Sequence, residues 1–167
     1  LTDERNTYAY RGERIGLEYQ GDLKLGRLGL TTFGASLEQE VFTSKIRPGA
    51  NSFAAPERFT AERLTQSAFA LHQITLFERL DLSAGVRIDD VEGVKPFVTE
   101  RLTAAYRLEE TGTKLRASLG TGAKAPSLYQ QFSIYAPTRN GDPALRPERS
   151  TGFDVGIDQR LLGGALT

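Results

Sequence analysis

The chain of 167 residues contains no cysteine. Disulfides and thiolate metal sites are therefore excluded, while the redox compartment stays open, since an oxidising one is compatible with a protein that uses no bridges. It has one histidine, His72, too few for a His-rich or Cys-rich metal cluster, so a strand residue on a polar or interfacial face is the expected role. Neither sign of charge dominates: 21 basic residues balance 21 acidic ones, which gives no overall field for nucleic acid and no acidic tail. Long apolar runs are also missing. No stretch reaches the roughly 18 apolar residues of a membrane helix, and the opening "LTDERNTYAY" does not read as a signal peptide. A membrane β-barrel survives all of these absences, because its strands need only about 9 to 11 residues and alternate in polarity.

What is present is a hydrophobic period close to two. In "ERIGLEYQ", Ile15, Leu17 and Tyr19 share one face and Arg14, Gly16 and Glu18 the other. "DLSAGVRIDD", "TERLTAAYRL", "KLRASLG" and "GFDVGIDQRL" follow the same rule, setting Leu82, Val86, Leu102, Tyr106, Leu115, Leu119, Phe153 and Ile157 opposite Arg87, Arg101, Arg116, Asp154 and Asp158. Residues 29–42 and 66–77 are strand-like with phase breaks near Gly34 and His72. The pattern predicts seven strands and the start of an eighth at Ala165.

The links between strands alternate in length. Short links at 24–27, 78–81, 109–112 and 161–164 are separated by longer ones at about 44–64, 90–95 and 122–150. An up-and-down meander with tight turns at one end and long loops at the other produces this order, as in outer-membrane barrels. A soluble β-sandwich also alternates apolar and polar residues, and period alone does not distinguish a protein core from lipid. Two features favour the membrane: charged residues well inside strands suit a water-filled or plugged lumen, and the Greek-key crossings of sandwiches usually scramble loop alternation.

The segments "GVRIDD", "TERLTAAYRLEETGTKLRASLGTGAKAPSLYQQF" and "DPALRPERSTGFDVGIDQRLLGG" carry a more specific signal. Gly85, Arg87 and Asp89 come first, then Ala125, Pro126, Ser127 and Leu128, then Pro143, Leu145, Pro147, Glu148, Asp154 and Gly156. In order and separation, from about residue 80 to 163, they resemble the barrel of TonB-dependent outer-membrane receptors, in the branch that takes up cobalamin and ferric siderophores. Ala123 stands where that family usually has an aromatic residue, and "YAPTRNGDP" is longer than the usual loop. The resemblance implies an all-β fold: an antiparallel meander of seven to eight strands, not closed, forming part of a transmembrane barrel of about 22 strands around an N-terminal plug. Residues 1–167 are then one barrel segment without the plug, and alone in water its open edges and apolar outer face predict aggregation.

Other chemistry is weakly supported. "GTGAKAPS" has glycines, Lys124 and Ser127, but Ala123 precedes the lysine and Ala125 and Pro126 follow it, so it departs from a phosphate loop. Asp89, Asp90 and Glu92 could supply oxygen ligands to calcium, and a solvated acidic edge is the simpler expectation. No serine or threonine has a visible base partner, so no enzyme activity, catalytic residue or cofactor is expected. Ligand contacts are expected on the long loops: Arg58, Phe59, Tyr129, Phe132, Tyr135 and Arg139, with Phe53 beside them, since aromatic rings and guanidinium groups suit a flat or anionic metal complex. The same rings could instead brace the loops. The partners implied by the resemblance are outer-membrane lipid, the receptor's own plug and remaining strands, the TonB energy-coupling complex and a metal-chelate ligand, with no nucleic acid. Two alternatives stay open, a small complete eight-stranded outer-membrane barrel and a soluble β-sandwich binding module.

Overall fold

A computed structural model describes residues 7–49, 57–132 and 144–160. Its strands are β1 (Thr7–Lys24), β2 (Leu30–Arg47), β3 (Glu57–Leu76), β4 (Leu80–Val91), β5 (Phe97–Leu108), β6 (Thr113–Lys124) and β7 (Glu148–Gln159), and a short helix α1 (Leu128–Phe132) follows β6. All seven strands pair antiparallel in chain order in one sheet, with β1 and β7 at its edges. The expected open meander is therefore observed. The eighth strand expected from Ala165 and the turn at 161–164 lie outside the described residues.

Register decides which side chains share a face. The pairs Arg14 with Glu40, Glu40 with Arg63, Ser67 with Asp89, Arg87 with Thr99, Thr103 with Ser118 and Arg116 with Gly156 carry one polar face across the sheet. Its members are joined in pairs. Ser67 Oγ donates to Asp89 Oδ1 at 2.6 Å, Arg107 Nη1 to Asp81 Oδ2 at 2.7 Å, and Ser118 Oγ to Asp154 Oδ2 at 3.0 Å. The opposite face carries Ile15, Leu17, Phe33, Leu82, Val86, Ile88, Leu102, Leu119, Phe153 and Val155, which no second layer of the described residues covers; Leu17 is 74% exposed and Val155 81%.

The accessible surface makes the same point for the molecule. At 18.3 kDa the chain exposes 12476 Å², against about 8,100 Å² for a compact protein of that mass. A sandwich would have buried the apolar face against a second sheet. Here it is a free wall. Along β4 it runs from Leu80 to Ile88, about 26 Å along the strand and roughly 20 Å along the normal of a barrel with the usual tilt, close to the ~25 Å apolar band of outer-membrane barrels.

Link lengths follow the expected alternation with shifted bounds. Residues 25–29, 77–79 and 109–112 link strands at one end and 48–56, 92–96 and 125–147 at the other, each of the latter longer than the links beside it, although 92–96 is no longer than 25–29. The expected loop at 44–64 shrinks because β2 and β3 run to Arg47 and from Glu57, and the loop at 122–150 shrinks because β6 reaches Lys124 and β7 starts at Glu148. At the tight-turn end, Arg79 Nη1 donates to Glu110 Oε1 at 2.8 Å. That bond raises the Arg79 pKa, and the Glu110 carboxyl is held low first by its own backbone N–H and then by Arg79.

The phase breaks near Gly34 and His72 are not bulges; pairing runs through both without interruption. They arise because Phe69 and Leu71 lie on the polar face, where glycines leave room for them. A Cβ on Gly34 would stand 2.5 Å from the Phe69 ring, and one on Gly85 would stand 3.2 Å from Leu71. His72 thereby falls on the apolar outer face and not on the polar or interfacial face expected. Its Nδ1 is satisfied there by Thr31 Oγ1 at 2.9 Å.

Candidate functional site

The long-loop rim is built by three strands and one helix. Beyond its last pair with β4, Thr65 with Val91, strand β3 continues to Glu57, and β1 and β2 keep pace to Thr7 and Arg47. At about 3.3 Å per residue this ledge extends roughly 26 Å past the end of β4. Its polarity is reversed relative to the band below. Glu13, Thr43, Lys45, Arg58 and Glu62 face outward, while Tyr10, Phe42, Phe59 and Ala61 face inward. Beyond the apolar band the outer face of the ledge is charged, so its apolar side chains turn inward and must be covered from that side.

Helix α1 provides that cover. Pro126 follows the last residues of β6, and Ser127 then caps the helix. The Gln130 N–H donates to Ser127 Oγ at 3.2 Å, and the Ser127 N–H donates to Gln130 Oε1 at 2.8 Å, a reciprocal capping box. Leu128, 1% exposed, forms the small core of the rim with Phe42 and Ala61. Phe132 stacks on Phe59 with ring centroids 6.0 Å apart, and Tyr129 meets Phe42 and Tyr10 edge-on at 6.0 Å and 5.5 Å.

Beneath the rings lies a polar clamp. Arg63, on the inner face of β3 and 8% exposed, donates from Nη1 to the Pro126 carbonyl at 2.6 Å and from Nη2 to Glu40 Oε2 at 2.6 Å. Gln131 Oε1 stands 3.5 Å from the same Nη1. Glu40 also faces Arg14 Nη2 at 3.6 Å. A charged ladder thus runs from β1 through β2 and β3 to the segment after β6.

The family profile described as TonB dependent receptor-like, beta-barrel, matches residues 1–167. The chain belongs to the TonB-dependent receptor β-barrel family. Solved structures agree in fold. The barrel is similar to the siderophore receptor PirA from Pseudomonas aeruginosa (TM-score 0.71, 22% identity, 92% of this chain, 29% of that one). It is likewise similar to PirA from Acinetobacter baumannii (0.72, 18%, 92% and 25%) and to a mutant of the ferric enterobactin receptor PfeA from Pseudomonas aeruginosa (0.71, 20%, 92% and 25%). The chain spans between a quarter and three tenths of these proteins. No curated protein sequence matches it.

In this receptor barrel the expected contact residues do not all converge. Phe59, Tyr129 and Phe132 meet at the inner rim, where they pack on the ledge and on each other. Arg58 pairs with Lys45 on the outward face and points away from them. Tyr135, Arg139 and Phe53 lie outside the described residues. Arg63, Tyr10, Phe42 and Gln131 were not singled out by the sequence, although Ser127-Leu-Tyr-Gln130 already spelled a capping box. The remaining motifs resolve into structural roles. Ser127 caps a helix and Lys124 ends a strand, so the glycine-rich stretch forms no phosphate cradle. Asp89 turns inward to Ser67 and Arg87, Asp90 turns outward, and Glu92 accepts the Leu64 N–H at 3.1 Å. Among the described residues no group of three metal-ligating side chains assembles.

Proposed function

We propose that this segment is part of an outer-membrane receptor that binds a metal chelate, a ferric siderophore before cobalamin, at its external mouth and imports it by binding and transport without a covalent step. The observation that carries this reading is the two-sided wall: apolar outward over a membrane-sized band, polar and ion-paired inward, with an aromatic ledge on the long-loop side. A polar lumen of this kind suits a plug, which the proposal places in another part of the same protein. Energy would then come from the TonB complex acting on that plug. Siderophore is favoured over cobalamin because the similar structures are siderophore and ferric enterobactin receptors.

Within the mouth, Tyr129 belongs to the proposed contact set: it lies in the inward-facing aromatic cluster beside Tyr10 and Phe42 and is still 36% exposed. Phe59 and Phe132 would contribute by shaping its support, and Tyr135 and Arg139 on the same link complete the proposed contact set. Arg58, facing outward, belongs to the collar around the wall.

The test is uptake of radio-iron as ferric enterobactin by cells whose only receptor is the full-length protein containing this segment. Uptake that is saturable and abolished by a protonophore, with surface binding retained, is expected. Tyr129→Ala should weaken binding about tenfold, the loss of ~1.4 kcal/mol typical of an interfacial tyrosine. Binding of cobalamin with no binding of ferric enterobactin would transfer the reading to the other ligand class, and binding of neither would overturn it.

A further inference from the structure

Arg63 makes contacts that a wall residue does not need. Every other inward arginine with an ion pair in the described sheet stays open to solvent, with Arg14, Arg87, Arg107 and Arg116 side chains between 40% and 60% exposed, while the Arg63 side chain is 9% exposed. Desolvating a guanidinium is costly unless its donors are used. Arg63 uses them on both sides of a structural seam: Glu40 belongs to the neighbouring strand, whereas the Pro126 carbonyl and Gln131 belong to the link that follows β6, more than sixty residues away in sequence. Its Nε has no hydrogen-bond partner, so the side chain is placed by what its two Nη groups hold.

We infer that Arg63 is a positioning residue that latches the segment Ala125–Phe132 onto the inner wall and fixes where Tyr129 and Phe132 stand in the mouth. The external link therefore begins with a fixed anchor and not with a hinge at Pro126. The asymmetry of the clamp makes the idea separable from folding. If Arg63 is lost, Glu40 keeps Arg14 at 3.6 Å and the ladder between β1 and β2 survives. The Pro126 carbonyl and the Gln131 amide lose their shared donor, so the damage is directed at the segment. Lysine cannot replace the fork, because a single ammonium does not reach two acceptors on opposite sides in the guanidinium geometry. The consequence for ligand binding rests on the receptor reading above, and the latch itself does not.

The experiment uses the full-length receptor in outer-membrane vesicles, with wild type, Arg63→Met and Arg63→Lys. Limited chymotrypsin digestion, read by mass spectrometry, reports cleavage after Tyr129 and Phe132, and heat-modifiable electrophoretic mobility reports an assembled barrel. Both variants should assemble and be cut at these sites several-fold faster than wild type, and Arg63→Met should weaken ferric enterobactin binding about tenfold or more. Unchanged cleavage in an assembled variant overturns the latch. Faster cleavage with unchanged affinity overturns its role in placing the mouth. If Arg63→Met does not assemble, Gln131→Leu, which alters only the segment's side of the clamp, must show a smaller increase in cleavage, and its absence overturns the proposal. Wild-type receptor that fails to bind ferric enterobactin while the cleavage difference persists sinks the siderophore reading and leaves the latch standing.

Discussion

Two glycines show how single residues set this wall. Gly29 closes the β1–β2 turn at φ 95°, and a Cβ there would stand 2.0 Å from the Gln73 carbonyl oxygen of β3. Gly26, three residues earlier, has φ 62° and nothing within 4 Å of its would-be Cβ. Alanine at Gly26 therefore meets only the left-handed penalty of about 1–2 kcal/mol, whereas alanine at Gly29 adds a backbone collision that moves the first three strands apart. Gly29→Ala should sharply reduce the heat-modifiable folded band of the receptor, and Gly26→Ala should leave it nearly intact. Equal bands would contradict the close packing. None of this was readable in "KLGRLGL", because the collision is with a carbonyl 44 positions away. Arg63 was hidden for the same reason. By the sequence pattern it falls in the long link at about 44–64, whereas β3 starts at Glu57, and its partners Glu40 and Pro126 come from other strands and links. By contrast, the inward placement of Arg87, Arg101, Arg116, Asp154 and Asp158 needed only the period of two and holds in the register.

Strands β4 to β7 were legible because, apart from the inward Val91 and Phe97 at the ends of β4 and β5, one phase describes each strand, apolar outside and polar inside. Strands β1 to β3 cross out of the band, and their inner face turns aromatic while their outer face turns charged; a pattern read with one phase ends them early, as at residues 42 and 66. Helix α1 was read as loop. Five residues give no helical period, and Pro126 points to a turn rather than a helix start. Its capping box and its aromatic seat hold it instead, and these make a testable claim about coupling between elements. Phe59 on β3 and Phe132 on α1 stack at 6.0 Å, so a double-mutant cycle with Phe59→Ala and Phe132→Ala should give a coupling of about 0.5–1.5 kcal/mol in urea unfolding of the full-length receptor in detergent. Additive losses would mean that the two rings pack independently and that α1 is not seated on the ledge.

For the molecule as a whole, the account turns on one assignment: the face carrying Leu82, Val86, Ile88, Leu102, Phe153 and Val155 meets lipid, and the face carrying Arg87, Asp89, Arg101, Arg116 and Asp154 meets the lumen. The sequence suggested this but left a β-sandwich core as an equal reading of the same alternation. The structure separates them by leaving the apolar face uncovered and by exposing about half again the surface of a compact protein. Membership of the receptor barrel family gives the uncovered face its solvent. Residues 1–167 contribute no cysteine, so with any cysteine elsewhere in the full-length receptor replaced by serine, single cysteines can be placed one at a time at residues 82 to 89, spin-labelled and studied in lipid bilayers. The most direct test is the accessibility of those labels to oxygen, which concentrates in lipid, and to a water-soluble nickel complex. Alternation with a period of two is expected, with labels at Leu82, Ala84, Val86 and Ile88 favouring oxygen and labels at Ser83, Gly85, Arg87 and Asp89 favouring nickel. Nickel access on both faces, or exclusion of both reagents from the apolar one, would contradict the account.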